Sequence, residues 1–335
     1  MIVFLHCGFL FYHAYEYLNE SLFQNILIHE AKQLERPFNK SSEILDNFFD
    51  TQVQKIISIT NDASFDHMDY KKFLPFIKEK LKEDKTFEKF IVGTPKGEFY
   101  NTHGGNPHFN MIRTFDDTSE DTRPRSIRRR DYWKQTVGSN EQHKKKIFIS
   151  SPMISYTTSV KQIVVAASIV RDGRVVGMVG GSLSWDIMKP FLIDLKNNFS
   201  HPERIYLSLI APNGTYWYHW DRAKIIHPLK NFQGNNILDN FGENVAVSSF
   251  VQYDKNDSVA LIGREVLKGK RGFETFEHND KRYSAFYGKL DNSGYALIAA
   301  SYTPKEESIL LAILFVLLSI FLTELVVYFL KRGLL

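Results

Sequence analysis

Cysteine is almost missing from this chain. Of 335 residues one is Cys7, so no internal disulfide can form. A chain of this length buries enough surface to stabilise itself without a covalent staple, so the shortage leaves an extracytoplasmic location open. Charge of one sign is lacking too. Forty-two Lys and Arg face 38 Asp and Glu, a formal net charge of +4. That balance gives no argument for a nucleic-acid partner, and none is expected. Basic residues crowd at Arg123 to Arg130 and at Lys144 to Lys146, which reads as a solvated face or as an anion site.

Catalytic signatures are absent as well. There is no Walker loop, no Gly-x-Ser-x-Gly and no His-Glu-x-x-His. The acidic run Asp116, Asp117, Glu120 and Asp121 has no histidine or cysteine at a telling distance, so no enzyme activity is expected. His103 and His108 alone are too few ligands for a metal, and no metal or cofactor is expected.

Long hydrophobic runs are scarce, and one stands out. Ser308 to Leu330 is almost wholly apolar and reaches the ~20 residues that cross a bilayer. Glu324 is its exception and must face a partner helix or a headgroup region. Lys331-Arg332 follows at once and places residues 331–335 in the cytoplasm and the rest of the chain outside. Ile2 to Tyr12, within residues 1–14, is apolar but about half a span. It reads as the outer end of a first membrane helix or as a membrane-facing helix end. Any signalling output is expected from a domain or partner outside these residues.

Residues 15–65 read as a long helix. Tyr15 to Glu35 and Ser41 to Thr60 are its two parts, with Leu45, Phe49, Ile56 and Thr60 at helical spacing and Pro37 as a break between them. Tyr70 to Leu81 predicts a shorter amphipathic helix. Phe87 to Thr94 and Glu98 to Thr102 predict strands. Strand patterns recur at Ile147 to Ser150, Gln162 to Arg171 and Val175 to Ser184, the last two joined by the hairpin signal Asp172-Gly173. Asp186 to Asn197 predicts a helix, and His201-Pro202 marks a boundary. Beyond it, Arg204 to Ala211, Tyr216 to Trp220, Val259 to Ile262, Gly272 to Glu277, Arg282 to Lys289 and Tyr295 to Tyr302 predict strands, with a loop and short helix over Pro228 to Phe241.

The densest constellation is Arg128 to Trp185. It opens on Arg128-Arg129-Arg130-Asp131-Tyr132-Trp133 and closes on Arg-Asp-Gly-Arg-Val-Val-Gly-Met-Val-Gly-Gly-Ser-Leu-Ser. Gly177, Gly180 and Gly181 inside a strand mark a bulge or a close approach by a ligand or another backbone. The Arg130 guanidinium suits a carboxylate, and Tyr132 and Trp133 offer flat amphipathic walls. Alternatively Arg130 pairs with a carboxylate of the protein and the aromatics are core. The run Tyr216, Trp217, Tyr218 and Trp220 reads as core plus interface rather than as a cage for a cation.

In order and spacing, Arg130-Asp131-Tyr132-Trp133, Ser151-Pro152, the strand to Ile169 and the glycine-rich strand resemble the distal half of a double Cache sensor domain. That domain is the extracytoplasmic ligand-binding module of bacterial chemoreceptors, sensor kinases and cyclic-di-GMP enzymes, and the resemblance extends over roughly Glu16 to Glu307. It implies an α+β fold: a long N-terminal helix and two PAS-like antiparallel-sheet modules, a membrane-distal one at 66–200 and a membrane-proximal one at 201–307, followed by the membrane helix at 308–330. It further implies a small-molecule ligand, a homodimer in the plasma membrane and a cytoplasmic output partner. The ligand positions it implies here are Arg130, Tyr132, Trp133, Ser151, Met153, Tyr156 and Ser182. Amino-acid binders of the family carry an Asp at the position of Ser182 and a strand Tyr at that of Met153. Without that acid a ligand ammonium lacks its counter-charge, which points to a small carboxylate or other anion. The other reading is a membrane-anchored binding or adhesion protein without signalling output.

Overall fold

The computed structural model describes residues 2–97, 99–102, 109–112, 127–138, 144–155, 158–240, 243–279 and 281–303, together with Phe321, Tyr328 and Arg332; for 2–27 and 109–112 this means the backbone alone. Helix α1 runs unbroken over Ile2–Thr60. Leu34, Phe38, Ser41, Leu45, Phe49, Gln52, Ile56 and Ile59 are all buried, at steps of three and four that keep them on one face. The break expected at Pro37 does not occur. Proline removes one ladder hydrogen bond, but its fixed φ is helical, and Leu34 and Phe38 on either side are anchored in the core. Each such large side chain contributes about 1.5–3 kcal/mol of gross burial, so packing outweighs the local defect. Arg171 secures the far end of the helix. Its Nη1 donates to the Thr60 carbonyl at 3.2 Å and its Nη2 to the Asp62 carbonyl at 2.7 Å, satisfying groups a helix terminus leaves open.

Helix α2 spans Tyr70–Glu83, capped by Asp69. The first sheet comprises β1 (Lys89–Gly93), β2 (Phe99–Thr102), β3 (Phe109–Ile112), β4 (Ile147–Ile149), β5 (Met153–Ile154), β6 (Lys161–Arg171) and β7 (Arg174–Ser184). Helix α3 (Asp131–Thr136) precedes β4, and α4 (Trp185–Asp194) follows β7. The order is β3-β2-β1-β7-β6-β4, with β5 also on β6, and every pairing is antiparallel. Asp172 and Gly173 join β6 to β7 with φ of 49° and 69°, the doubly positive turn the sequence signalled.

The second sheet comprises β8 (Ile205–Ile210), β9 (Tyr216–Tyr218), β12 (Gly272–His278), β13 (Lys281–Lys289) and β14 (Ala296–Thr303). Between β9 and β12 lie the small ribbon of β10 (His227–Pro228) with β11 (Ala246–Val247) and helix α5 (Asp257–Leu267). Its order, β9-β8-β14-β13-β12, repeats β2-β1-β7-β6-β4 of the first sheet strand for strand. Two expectations fail here. Val259 to Ile262 is helical, because Asn256 caps the segment by accepting from the Ser258 and Val259 amides and because Ala260, Ile262, Gly263 and Val266 bury one helical face. Among the described residues of Pro228 to Phe241 there is no helix; the segment is extended and folds back on itself.

One core unites the two sheets along α1. Phe38 meets Phe286 at 4.9 Å between ring centres and Phe49 meets Tyr295 at 5.3 Å, while Ile56 packs with Phe87, Ile163 and Leu183 of the first sheet. Gly181 of β7 serves this packing. A Cβ on Gly181 would stand 2.5 Å from the Phe87 ring and 2.9 Å from Ile56. Gly181→Val should therefore cost about 1–3 kcal/mol or more through overpacking, read as a lower urea midpoint; an unchanged midpoint would refute the crowding. Among the described residues no helix is long and apolar enough to cross a membrane. Ser308 to Leu330 lies outside them except for Phe321 and Tyr328.

Candidate ligand pocket

Strand alternation divides the first sheet. Phe90, Val92, Ile163, Val165, Val179 and Leu183 face α1. Ile91, Val164, Ala166 and Met178 face the other way, into a second apolar cluster with Tyr132, Trp133 and, at its edge, Met153. By the same alternation Lys89, Gln162 and Ser182 belong to this second face. All three are buried, and Lys89 is the register partner of Ser182. A polar corner is thus set into an apolar wall, the usual make-up of a small-molecule site.

Arg130 is the N-cap residue of α3, in extended conformation, with no capping bond from its side chain. Its side chain is 14% exposed. Its Nη1 reaches the Met153 thioether at 3.8 Å, and its Nη2 lies 3.5 Å from Glu243 Oε2 without a hydrogen-bond partner. Glu243 comes from the segment after β10, far along the chain. Arg130 therefore pairs, loosely, with a carboxylate of the protein itself. Asp131 fixes the surroundings: it accepts from the Tyr132 amide at 2.7 Å and from the Ser151 amide at 3.2 Å. Burial holds its carboxyl above the usual range despite those bonds.

The sequence positions do not all converge. Arg130, Tyr132 and Met153 come together. Burial pushes the Tyr132 hydroxyl well above its ordinary pKa, so it stays a neutral donor and acceptor. Trp133 is in the same cluster, but its indole N–H is committed to the Thr94 carbonyl at 3.0 Å and it serves as wall. Ser151 is tied through its backbone to Asp131. Ser182 donates to Gln162 Oε1 at 2.9 Å on the sheet floor. Tyr156 lies outside the described residues, as do His103, His108 and the acidic run at Asp116 to Asp121.

Two residues of the site went unread in the sequence. Lys89 is 2% exposed; its Nζ donates to Ser155 Oγ at 2.7 Å and Thr158 Oγ1 at 3.0 Å and stands 3.5 Å from Glu88. Burial lowers its pKa to about 8, against Glu88, which raises it, and with Arg130 adding to the fall. Its signal was a lysine in step with Ile91 on a strand otherwise apolar. Glu243 had none, since only the tertiary fold brings it to Arg130. The aromatic run after β8 forms no cage: Tyr216 packs in the second sheet's cluster, and Trp217 lies edge-on to Trp185 in the shared core.

A sheet repeated in one strand order along a common helix defines a class. The chain has the fold of the extracellular sensory domains of chemoreceptors and histidine kinases. The extracellular domain of the putative histidine kinase mmHK1S-Z3 superposes with a TM-score of 0.55 at 12% identity, over 82% of this chain and 96% of that one. The ligand-binding domain of the Pseudomonas fluorescens chemoreceptor CtaA, in complex with L-alanine, gives 0.53 at 13% identity, over 84% and 98%. An extracellular ligand binding receptor from Desulfohalobium retbaense DSM5692 gives 0.53 at 11%; 80% of this chain spans 40% of that one. At such identities the likeness establishes the fold alone. No protein-family model and no curated protein matches the sequence.

Proposed function

We propose that this chain is the ligand-sensing region of a transmembrane signalling receptor and that it binds a small carboxylate or other anion at Arg130, without catalysing a reaction. The observation that carries this is the guanidinium itself. It is largely withdrawn from water, its Nη2 has no hydrogen-bond partner, and its Nη1 meets a thioether. A buried charged donor left short of acceptors is costly, and a carboxylate supplies two at once. Tyr132 and Met153 bound the place, and Lys89 with Ser182 makes its floor. A ligand ammonium over that floor meets a cation, which favours carboxylates without one. CtaA, of the same fold, is in complex with L-alanine, a ligand that carries a carboxylate. In this reading residues 66–200 are the membrane-distal module and 201–307 the membrane-proximal one. Ser308 to Leu330 crosses the plasma membrane, the sensor lies outside, and a homodimer passes the signal to a cytoplasmic partner.

The test is a thermal-shift screen of the full chain in detergent against small carboxylates, amino acids, amines, purines and sugars, repeated with Arg130→Ala. A ligand that binds only the folded state raises the midpoint. The expected result is a carboxylate whose shift disappears in Arg130→Ala, an affinity loss of about 100-fold for two charge-assisted bonds. A carboxylate shift that survives the substitution would move the site elsewhere.

A further inference from the structure

The segment of residues 229–240 and 243–245, between β10 and β11, belongs in sequence to the second sheet, yet its Asp239, Glu243 and Asn244 contact residues of the first half. It is a narrow strap held by its own backbone: Leu229 N–H to Val245 O at 2.7 Å, Ile237 N–H to Leu229 O at 2.8 Å and Val245 N–H to Ile237 O at 2.9 Å. Three of its side chains reach the first half of the chain, one of them at Arg130 itself. Asp239 stands 3.7 Å from Arg129 and Glu243 3.5 Å from Arg130. Asn244 Nδ2 donates to the Ser155 carbonyl at 3.2 Å and to Ser159 Oγ at 3.4 Å, and Ser155 is the residue that receives Lys89. Asp239 Oδ1 in turn accepts the Glu243 amide at 2.9 Å and so aims that carboxylate.

We propose that Glu243 is a built-in competitor of the ligand's carboxylate: it holds Arg130 through the strap, and a bound carboxylate takes its place and releases the strap from the first sheet. The contact is made for exchange rather than for permanence. At 3.5 Å without a hydrogen bond it falls short of a bidentate arginine–carboxylate pair. A ligand oxygen within hydrogen-bond distance would bind Arg130 more tightly than Glu243 does. Two carboxylates crowded on one guanidinium repel each other, so the gain of one is the loss of the other. Glu243 thereby becomes a specificity-determining residue, selecting carboxylates that bond Arg130 well enough to displace it. The ligand's differential affinity for strap-held and strap-released states is then what moves the second sheet.

This inference rests on Arg130 as the ligand anchor, and hydrogen exchange of the full chain tests the strap contact without any ligand. Glu243→Gln and Arg130→Gln should each speed exchange of the Leu229, Ile237 and Val245 amides about tenfold, while the double variant goes no further and the β6 amides stay unchanged. Unchanged strap exchange in the single variants, or increments that add in the double, would overturn the contact. Competition is read with acetate as probe, by calorimetry. Acetate should bind Glu243→Gln about tenfold more tightly than the native chain. Equal or weaker binding, or none to either, would overturn the competition. Should the screen of the preceding section move the ligand away from Arg130, that reading fails while the exchange result still decides whether Glu243 holds the strap.

Discussion

Phe49→Ala should lower the unfolding free energy by about 3–5 kcal/mol, the range for truncating a fully buried aromatic. Phe49 is 0% exposed and lies on α1 where the helix passes from one sheet to the other. Its ring packs on Tyr295 of the second sheet's entry and on Phe48, which stacks on Phe191 of α4. Tyr295 also reaches across: its hydroxyl donates to the Ser150 carbonyl at 2.7 Å, next to the Ser151 amide that Asp131 holds. The cavity left by alanine therefore opens at the joint between the sheets. Urea unfolding followed by far-ultraviolet dichroism and by tryptophan fluorescence should show one transition at a lower midpoint with both probes. A loss under about 1 kcal/mol would mean that the joint repacks around the gap.

The second large effect is a pH dependence from Lys89. In the folded chain it releases its proton near pH 8, against 10.5 for an ordinary lysine, because burial penalises the ammonium. Below pH 8 the group is charged in both states and its burial cost is present in full. Between pH 8 and 10.5 the unfolded chain binds more protons than the folded one, so stability rises with pH. The gain is on the order of 3 kcal/mol across that window. Lys145, Lys161 and Lys196 are lowered by burial as well, and Tyr132 and Tyr216 are raised by it, so the native curve alone is a sum. The difference between the native chain and Lys89→Met isolates the one group. It should shrink the advantage of the methionine variant as pH climbs from 8 to 10. Parallel curves for the two proteins would show that Lys89 keeps its ordinary basicity.

What the sequence made legible was whatever is local. Asp172-Gly173 named its own turn, because two successive positive φ angles leave few residue choices. The apolar runs of β6 and β7 read as strands because both of their faces are buried, and the helical stripe of Leu45, Phe49 and Ile56 followed from the period that one buried face imposes on a helix. The misreadings arose where a local signal was weak against a distant one. Pro37 carries a breaker's chemistry, and its neighbours' burial overruled it. Val259 to Ile262 is β-branched and apolar enough for a strand, and the Asn256 cap that decides for a helix was there to be read. At the proposed site, Arg130 and its aromatic neighbours stood out because they are consecutive at the start of one short helix. Lys89 needed the sheet register that sets it beside Ser182, and Glu243 needed the whole fold.

The single core along α1 has a consequence for how this protein can be divided. Phe286, Tyr295, Leu297 and Ala299 of the second sheet are buried in the same cluster as Phe38 and Phe49. A fragment starting at the boundary His201-Pro202 would carry every strand of that sheet and still leave this apolar face in water. The two halves share a strand order, but they are not interchangeable parts. Any shuffling, fusion or tandem duplication that moves the second half must bring the first helix with it, although the whole first sheet lies between them in the sequence.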